Sequence, residues 1–232
     1  MSQTINADLG ARAFADTRSM SWQPSPSPGV WRKRLDLMAT EEGGSEHGRV
    51  TSVVRYGPGS AFAAHDHPLG EEILVLEGTF CDEHGEYPQD TYLLNPPGFR
   101  HAPFSRAGCV LFVKLRQYGG PGRRRVVVDT RSGPWRPRAR AGVEVLPLYA
   151  DPEHPESVSL VRYAPGASGP RTIHPRGCEY FVLAGMLEDE DGEYPAGSWL
   201  RLPPGSAHSP VSPRGCTLYE KRGHLGVAGG GA

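Results

Sequence analysis

One stretch of this 232-residue chain is written twice. Arg55-Tyr56-Gly57-Pro58-Gly59 returns in the second half as Arg162-Tyr163-Ala164-Pro165-Gly166. The same offset carries Asp82-Glu83-His84-Gly85-Glu86-Tyr87-Pro88 onto Asp189-Glu190-Asp191-Gly192-Glu193-Tyr194-Pro195, Pro96-Pro97-Gly98 onto Pro203-Pro204-Gly205, and Gly108-Cys109 onto Gly215-Cys216. From Arg55 to Lys114, 28 of 60 positions match without a gap, whereas unrelated stretches would match at roughly one position in fifteen. The chain must therefore fold as two copies of one small unit.

Each copy reads as short strands. β-branched and apolar runs at 50–56, 72–77, 91–94 and 110–115 all stop at or follow Gly, Pro or Asp. The chain's 30 Gly and 23 Pro exclude a mostly helical protein, because glycine gives up backbone entropy and proline lacks the amide a helix needs. Strands this short predict an all-β sandwich or barrel. Leu35-Asp36-Leu37 and Leu146-Pro147-Leu148 read as equivalent first strands. Residues 1–28, with Pro24-Ser25-Pro26-Ser27-Pro28, read as a flexible lead-in. The first unit is expected over 29–125 and the second over 126–225, opening on a strand at 126–130. The Gly-rich end, 226–232, is expected to be disordered.

A net charge of −1 lacks the basic excess a phosphate-backbone binder needs. The arginines between Arg123 and Arg140 read as a solvated connecting segment, so no nucleic-acid partner is expected. No apolar run is long enough to span a membrane, and the N-terminus has no apolar signal stretch. The four cysteines form no dense framework, which fits a reducing, cytoplasmic setting. Cys109 and Cys216 open equivalent strands as small core residues, and Cys81 reads as a bystander beside a turn.

Chemistry concentrates in the first copy. His65 and His67 stand two apart, so both imidazoles share a face of an extended strand. Glu71 follows the turn residues Pro68-Leu69-Gly70, and His101 follows Pro97-Gly98-Phe99-Arg100. Three imidazoles and a carboxylate suit a borderline divalent cation. Glu72 has the opposite strand parity and is expected to point away. In the second copy the repeat offset gives Thr172, His174, Cys178 and His208 at these four positions. His174, Cys178 and His208 can in principle hold zinc; the alternative is a site that has lost its ligands.

The spacing Gly59, His65, His67, Glu71, Gly78 is similar to the first cupin motif, and Pro96-Pro97-Gly98-Phe99-Arg100-His101 resembles the second. Asp90 stands where a glycine is usual and Ser105 where an asparagine is usual. The resemblance implies two tandem cupin domains, each a jelly roll or double-stranded β-helix, with metal held by His65, His67, Glu71 and His101. The segment from His65 to Gly78, Asp82-Glu83-His84-Gly85 and Gly205-Ser206-Ala207-His208 are closer still to the cupin-like zinc-binding domain of ChrR anti-sigma factors. Those factors grip their sigma factor with a separate N-terminal helical domain. Here about 30 residues precede the first unit, so direct sigma-factor inhibition is not expected.

Zinc is therefore the first expected ion, with iron, manganese or nickel as alternatives. A closed zinc site would suit a sensor or regulatory small-molecule binder. Open octahedral positions would suit an oxygenase acting on a small dicarbonyl or carboxylate, with Phe62, Ile73, Val75 and Phe99 as a mostly apolar lining. A purely structural ion is the third option. One chain is expected to suffice, its two units pairing as a duplicated domain often mimics a two-fold dimer, with homodimerisation through sheet edges left open.

Overall fold

A computed structural model describes residues 4–40 and 44–226, and among these residues no helix occurs. The chain divides into two compact units, Met1–Ala7 with Met20–Ser132, and Asp8–Ser19 with Gly133–Ala232. The fold is all-β, as the composition requires.

The main sheet of the first unit runs, in hydrogen-bonded order, through Val126–Asp129, Thr91–Asn95, Glu71–Asp82, Cys109–Leu115, Gly44–Tyr56, Val30–Thr40 and Gln23–Pro24. Every pairing is antiparallel. A separate two-stranded ribbon pairs His65–His67 with Phe99–His101. The second unit repeats this order with Ala13–Asp16, Ser198–Leu202, Cys178–Asp189, Cys216–Arg222, Ser157–Tyr163, Val143–Ala150 and Arg136–Pro137. Its ribbon pairs Thr172–His174 with Ser206–His208.

Alternation along Glu71–Asp82 builds the inside of the first roll. Ile73 and Val75 pack with Val30, Tyr56, Leu93 and Leu111 in one buried cluster. Glu72 takes the opposite face, as its parity predicts, and accepts hydrogen bonds from the hydroxyls of Tyr92 (3.1 Å) and Tyr118. The ladder to Cys109–Leu115 slips at Val110/Leu111, next to Gly78. Gly78 has φ 70°, and a Cβ there would sit 2.2 Å from the Gly108 carbonyl oxygen. Gly185 repeats the arrangement, 2.0 Å from Gly215. Asp90, which replaces the usual glycine, still adopts φ 69°, like its counterpart Gly197 at 88°. A short polar residue tolerates this left-handed conformation better than most.

The ends of the units depart from the sequence expectation. Among the described residues, 4–28 are not a free lead-in, since Gln23–Pro24 pairs with Val30–Thr40 and Ala13–Asp16 is an edge strand of the second unit. Likewise 126–129 closes the first unit, so the division falls at Ser132/Gly133 rather than at 125/126. The physical cause is a second repeat in a different register. Asp16-Thr17-Arg18-Ser19 recurs as Asp129-Thr130-Arg131-Ser132. Thr17 donates to the Gly197 carbonyl through both its amide (3.0 Å) and its hydroxyl (2.7 Å). Thr130 does the same to Asp90, at 2.9 and 2.8 Å. The Pro/Ser run masked this pairing signal. Cys81 is buried one residue before the end of Glu71–Asp82, next to the hairpin turn, and Cys109 and Cys216 lie in the two cores; all four thiols are free. Of the Gly-rich end, 227–232 lies outside the described residues.

Candidate metal centre

The ribbon brings the histidines of the first roll together. In its antiparallel register His65 faces His101 and His67 faces Phe99, and alternation turns His67 to the same side as His65. Their ring centroids lie 4.8–5.3 Å apart. One ligand atom from each of His65, His67 and His101 falls within 4.8 Å of the other two, the one such group among the described residues. Glu71 enters from the main sheet. Gly70, at φ 74°, makes the turn, and a Cβ there would press on Tyr118 and the Asn95 carbonyl. The Glu71 Oε2 then lies 3.6 Å from His67 Nε2 and 3.4 Å from His101 Nε2, and accepts a hydrogen bond from Asn95 Nδ2 at 3.0 Å.

These residues fit a divalent cation. His67 Nε2 and His101 Nε2 are 3.0 Å apart. Nitrogen ligands about 2.1 Å from a shared ion lie about 3.0 Å apart at a right angle and about 3.4 Å at the tetrahedral angle. The three separations among His67, His101 and Glu71 bracket that range. The other ring nitrogens have their own work. His65 Nδ1 meets the Ala63 carbonyl at 2.8 Å and His101 Nδ1 meets Asp82 Oδ2 at 3.2 Å. Such contacts orient the remaining nitrogen toward a metal and raise its basicity.

Protonation follows from these contacts. Burial lowers the His67 pKa, against the opposing pull of Glu71. Burial also works against a charged His101, but its hydrogen bond to Asp82 and the nearby Glu71 and Asp82 carboxylates outweigh it and hold the pKa above the ordinary histidine value. Burial acts to raise Asp82, yet hydrogen bonds from His101, the His84 amide and the Tyr87 hydroxyl keep it below the usual carboxylate range.

A cavity of about 410 Å³ opens onto this cluster and is lined by His65, His67 and Glu71. Its walls include Tyr56, Phe62, Ile73, Leu111 and Val113, while Arg32 and Arg116 add positive charge. Phe62 and Ile73 are where the sequence predicts them. Val75 packs in the core instead, and Phe99 lies outside the cavity lining, tilted against His84 and edge-on to His101. Arg100 is turned to an exposed pair with Asp66. Sequence reasoning missed Asp82, Asn95 and Arg116. Only Asp82 carried a signal, the Asp-and-Tyr spacing repeated at Asp189 and Tyr194.

The second copy is built differently. The second candidate set does not form a three-ligand group among the described residues. His174 and His208 remain neighbours, with ring centroids 5.2 Å apart. His208 Nε2 instead meets the Tyr180 hydroxyl at 3.0 Å, and its Nδ1 faces Asp189 at 3.3 Å. Cys178 is fully buried, and burial pushes its thiol pKa far up, the reverse of what a thiolate ligand needs.

Residues 10–119 and 123–226 each match the family model described as ChrR Cupin-like domain. No curated protein sequence matches the chain. Among solved structures, the chain is similar to a putative dioxygenase from Nostoc punctiforme (17% identity, TM-score 0.75, covering 94% of this chain and 85% of that one). It is also similar to a variant of Bacillus subtilis oxalate decarboxylase (13%, TM-score 0.64, 93% and 78%). A third similar structure is a bacterial pirin from Escherichia coli in complex with nickel(II) (12%, TM-score 0.67, 91% and 98%). At these identities the likeness establishes the shared fold.

Proposed function

The chain belongs, across both of its units, to the family of ChrR cupin-like domains, and from that premise we propose that the first unit is a metal-dependent enzyme site for a small carboxylate with an apolar body. The observation that carries this reading is the cavity of about 410 Å³ opening directly onto His65, His67 and Glu71. An ion with a purely structural task needs no such access. His65, His67, His101 and Glu71 would hold the ion, and Asp82 would fix the His101 ring. A bound divalent metal would supply Lewis acidity or, if redox-active, an electron path.

The apolar wall excludes water from the body of the substrate, and Arg116 offers a guanidinium at the same cavity. No ion pair or side-chain hydrogen bond engages Arg116 among the described residues, so it is free to meet a substrate carboxylate. The nickel(II) of the pirin and the dioxygenase and decarboxylase names of the other two structures support an ion with Lewis-acid or redox chemistry at such a site. The family itself supports a second reading, in which zinc fills the site and the same cavity receives a signal molecule.

Elemental analysis of protein purified without added metal, combined with oxygen uptake and product analysis on small dicarbonyls and carboxylates, separates the two. Iron, manganese or nickel with turnover is the expected result. Zinc alone at one ion per chain, with binding but no turnover, would establish the sensor. In either case His101→Ala should strip the first unit's ion; full metal content after that change would sink the ligand assignment.

A further inference from the structure

The second roll has a cavity of its own, of about 320 Å³, at the place corresponding to the metal cavity. Val143, Tyr163 and Pro210 line it where Val30, Tyr56 and Pro103 line the first. Two of the four ligand positions are replaced, by Thr172 and Cys178, and the walls around them change as well. In the register of the main repeat, Tyr180 stands at Ile73, Glu220 at Val113 and Arg222 at Leu115; in the register of the outer strands, Arg138 stands at Ser25 and Arg140 at Ser27. At these positions the first unit has aliphatic side chains and serines, whereas the second has guanidinium groups, a phenol and a carboxylate, with His208 still in the lining.

The charges do not cancel. Arg138, Arg140 and Arg222 all line the cavity. Glu220, buried behind them, pairs with Arg138 at 2.5 Å and with Arg222 at 2.8 Å. No ion pair or side-chain hydrogen bond holds Arg140 among the described residues. Three cations therefore share one carboxylate. Two buried nitrogens nearby, Arg222 Nε and His174 Nε2, have no hydrogen-bond partner, and a buried polar group left unsatisfied is costly enough to call for a partner. A guanidinium fork matches a carboxylate in shape and charge. Apolar surface from Val143, Tyr163 and Pro210 suits an organic body, and the fixed negative charge of Glu220 disfavours a phosphate dianion.

We propose that the second roll is a metal-independent binding site for a small organic carboxylate, held by Arg140 and Arg222. This site is separate from the metal cavity and does not depend on what the first unit does.

The test is isothermal titration calorimetry on the full chain after exhaustive dialysis against EDTA, using acetate, oxalate, succinate and benzoate, with inorganic phosphate at matched ionic strength. At least one of the four carboxylates should bind at one site per chain with a Kd of about 1 mM or tighter. Arg140→Gln, at an exposed position, and Arg222→Lys, which leaves a cation for Glu220, should each weaken that binding about tenfold or more. His101→Ala should leave it unchanged. No binding by any of the four, binding indifferent to both arginine substitutions, loss of binding in His101→Ala, or phosphate binding as tightly as the best carboxylate would each overturn the proposal.

Discussion

Asp82 donates nothing to a metal, yet it sets which nitrogen of His101 can. Its Oδ2 lies 3.2 Å from His101 Nδ1 and its other oxygen takes the Tyr87 hydroxyl at 3.0 Å. Replacing the carboxylate by a neutral amide weakens that contact and lowers the basicity of the ring. Asp82→Asn should weaken metal affinity about 10- to 100-fold in a chelator competition, with stoichiometry at saturation unchanged. His174 makes the opposite kind of prediction. Burial pushes its pKa down to about 4 from 6.5, so the folded second unit keeps it neutral while the unfolded chain takes up a proton below pH 6.5. Stability conferred by the neutral ring is full above that pH and is lost as pH falls toward 4, by up to roughly 3 kcal/mol. His174→Gln should flatten this slope in denaturant titrations across that window; an unchanged slope would show that the ring is not the titrating group.

At the level of strands, the tightest demand falls on the glycine at each ladder slip. Ala at Gly78 or Gly185 would need a left-handed backbone and would drive its Cβ into a carbonyl oxygen on the neighbouring strand. Gly78→Ala should destabilise the first unit by about 3 kcal/mol, and Gly185→Ala the second by a similar amount, read as separate shifts in thermal unfolding. The runs at 50–56, 72–77, 91–94 and 110–115 were legible because each alternates or stays apolar between clear stops. The ribbon of His65–His67 and Phe99–His101 was legible only through its ligands, since strands so short carry no periodicity. What the sequence hid was whatever depends on a partner chosen by the fold. Asn95 reaches Glu71, and Tyr180 takes the ring nitrogen that a metal would need, because of sheet register, and neither residue type announces such a role.

Over the whole chain, each unit is closed by an outer strand: the first unit's follows in sequence order, and the second unit's comes from before the first unit's main stretch. Ala15 pairs with Trp199 and Val128 with Tyr92 at equivalent ladder positions. A proline there removes a ladder amide, at a cost of about 3 kcal/mol or more. Ala15→Pro should lower the unfolding temperature of the second unit while metal content stays at the wild-type level, and Val128→Pro should lower that of the first. The reverse assignment would refute the division of the chain at Ser132. The duplication itself was plain from Arg55 to Lys114, yet its outer strands repeat at a longer spacing, which a search in one register passes over.

Placing the strand at Ala13–Asp16 against Ser198–Leu202 has a consequence for the birth of the molecule. Ala13 leaves the ribosome with most of the chain still to be made before Arg201, its register partner, appears. At about 5–20 residues per second, that is a wait of roughly ten to forty seconds. Throughout it the nascent chain carries an unclaimed edge segment, and the strands that hold the histidines are made before it ends. The second unit cannot complete this edge until Ser198–Leu202 has been made, by which point every strand of the first unit's main sheet already exists.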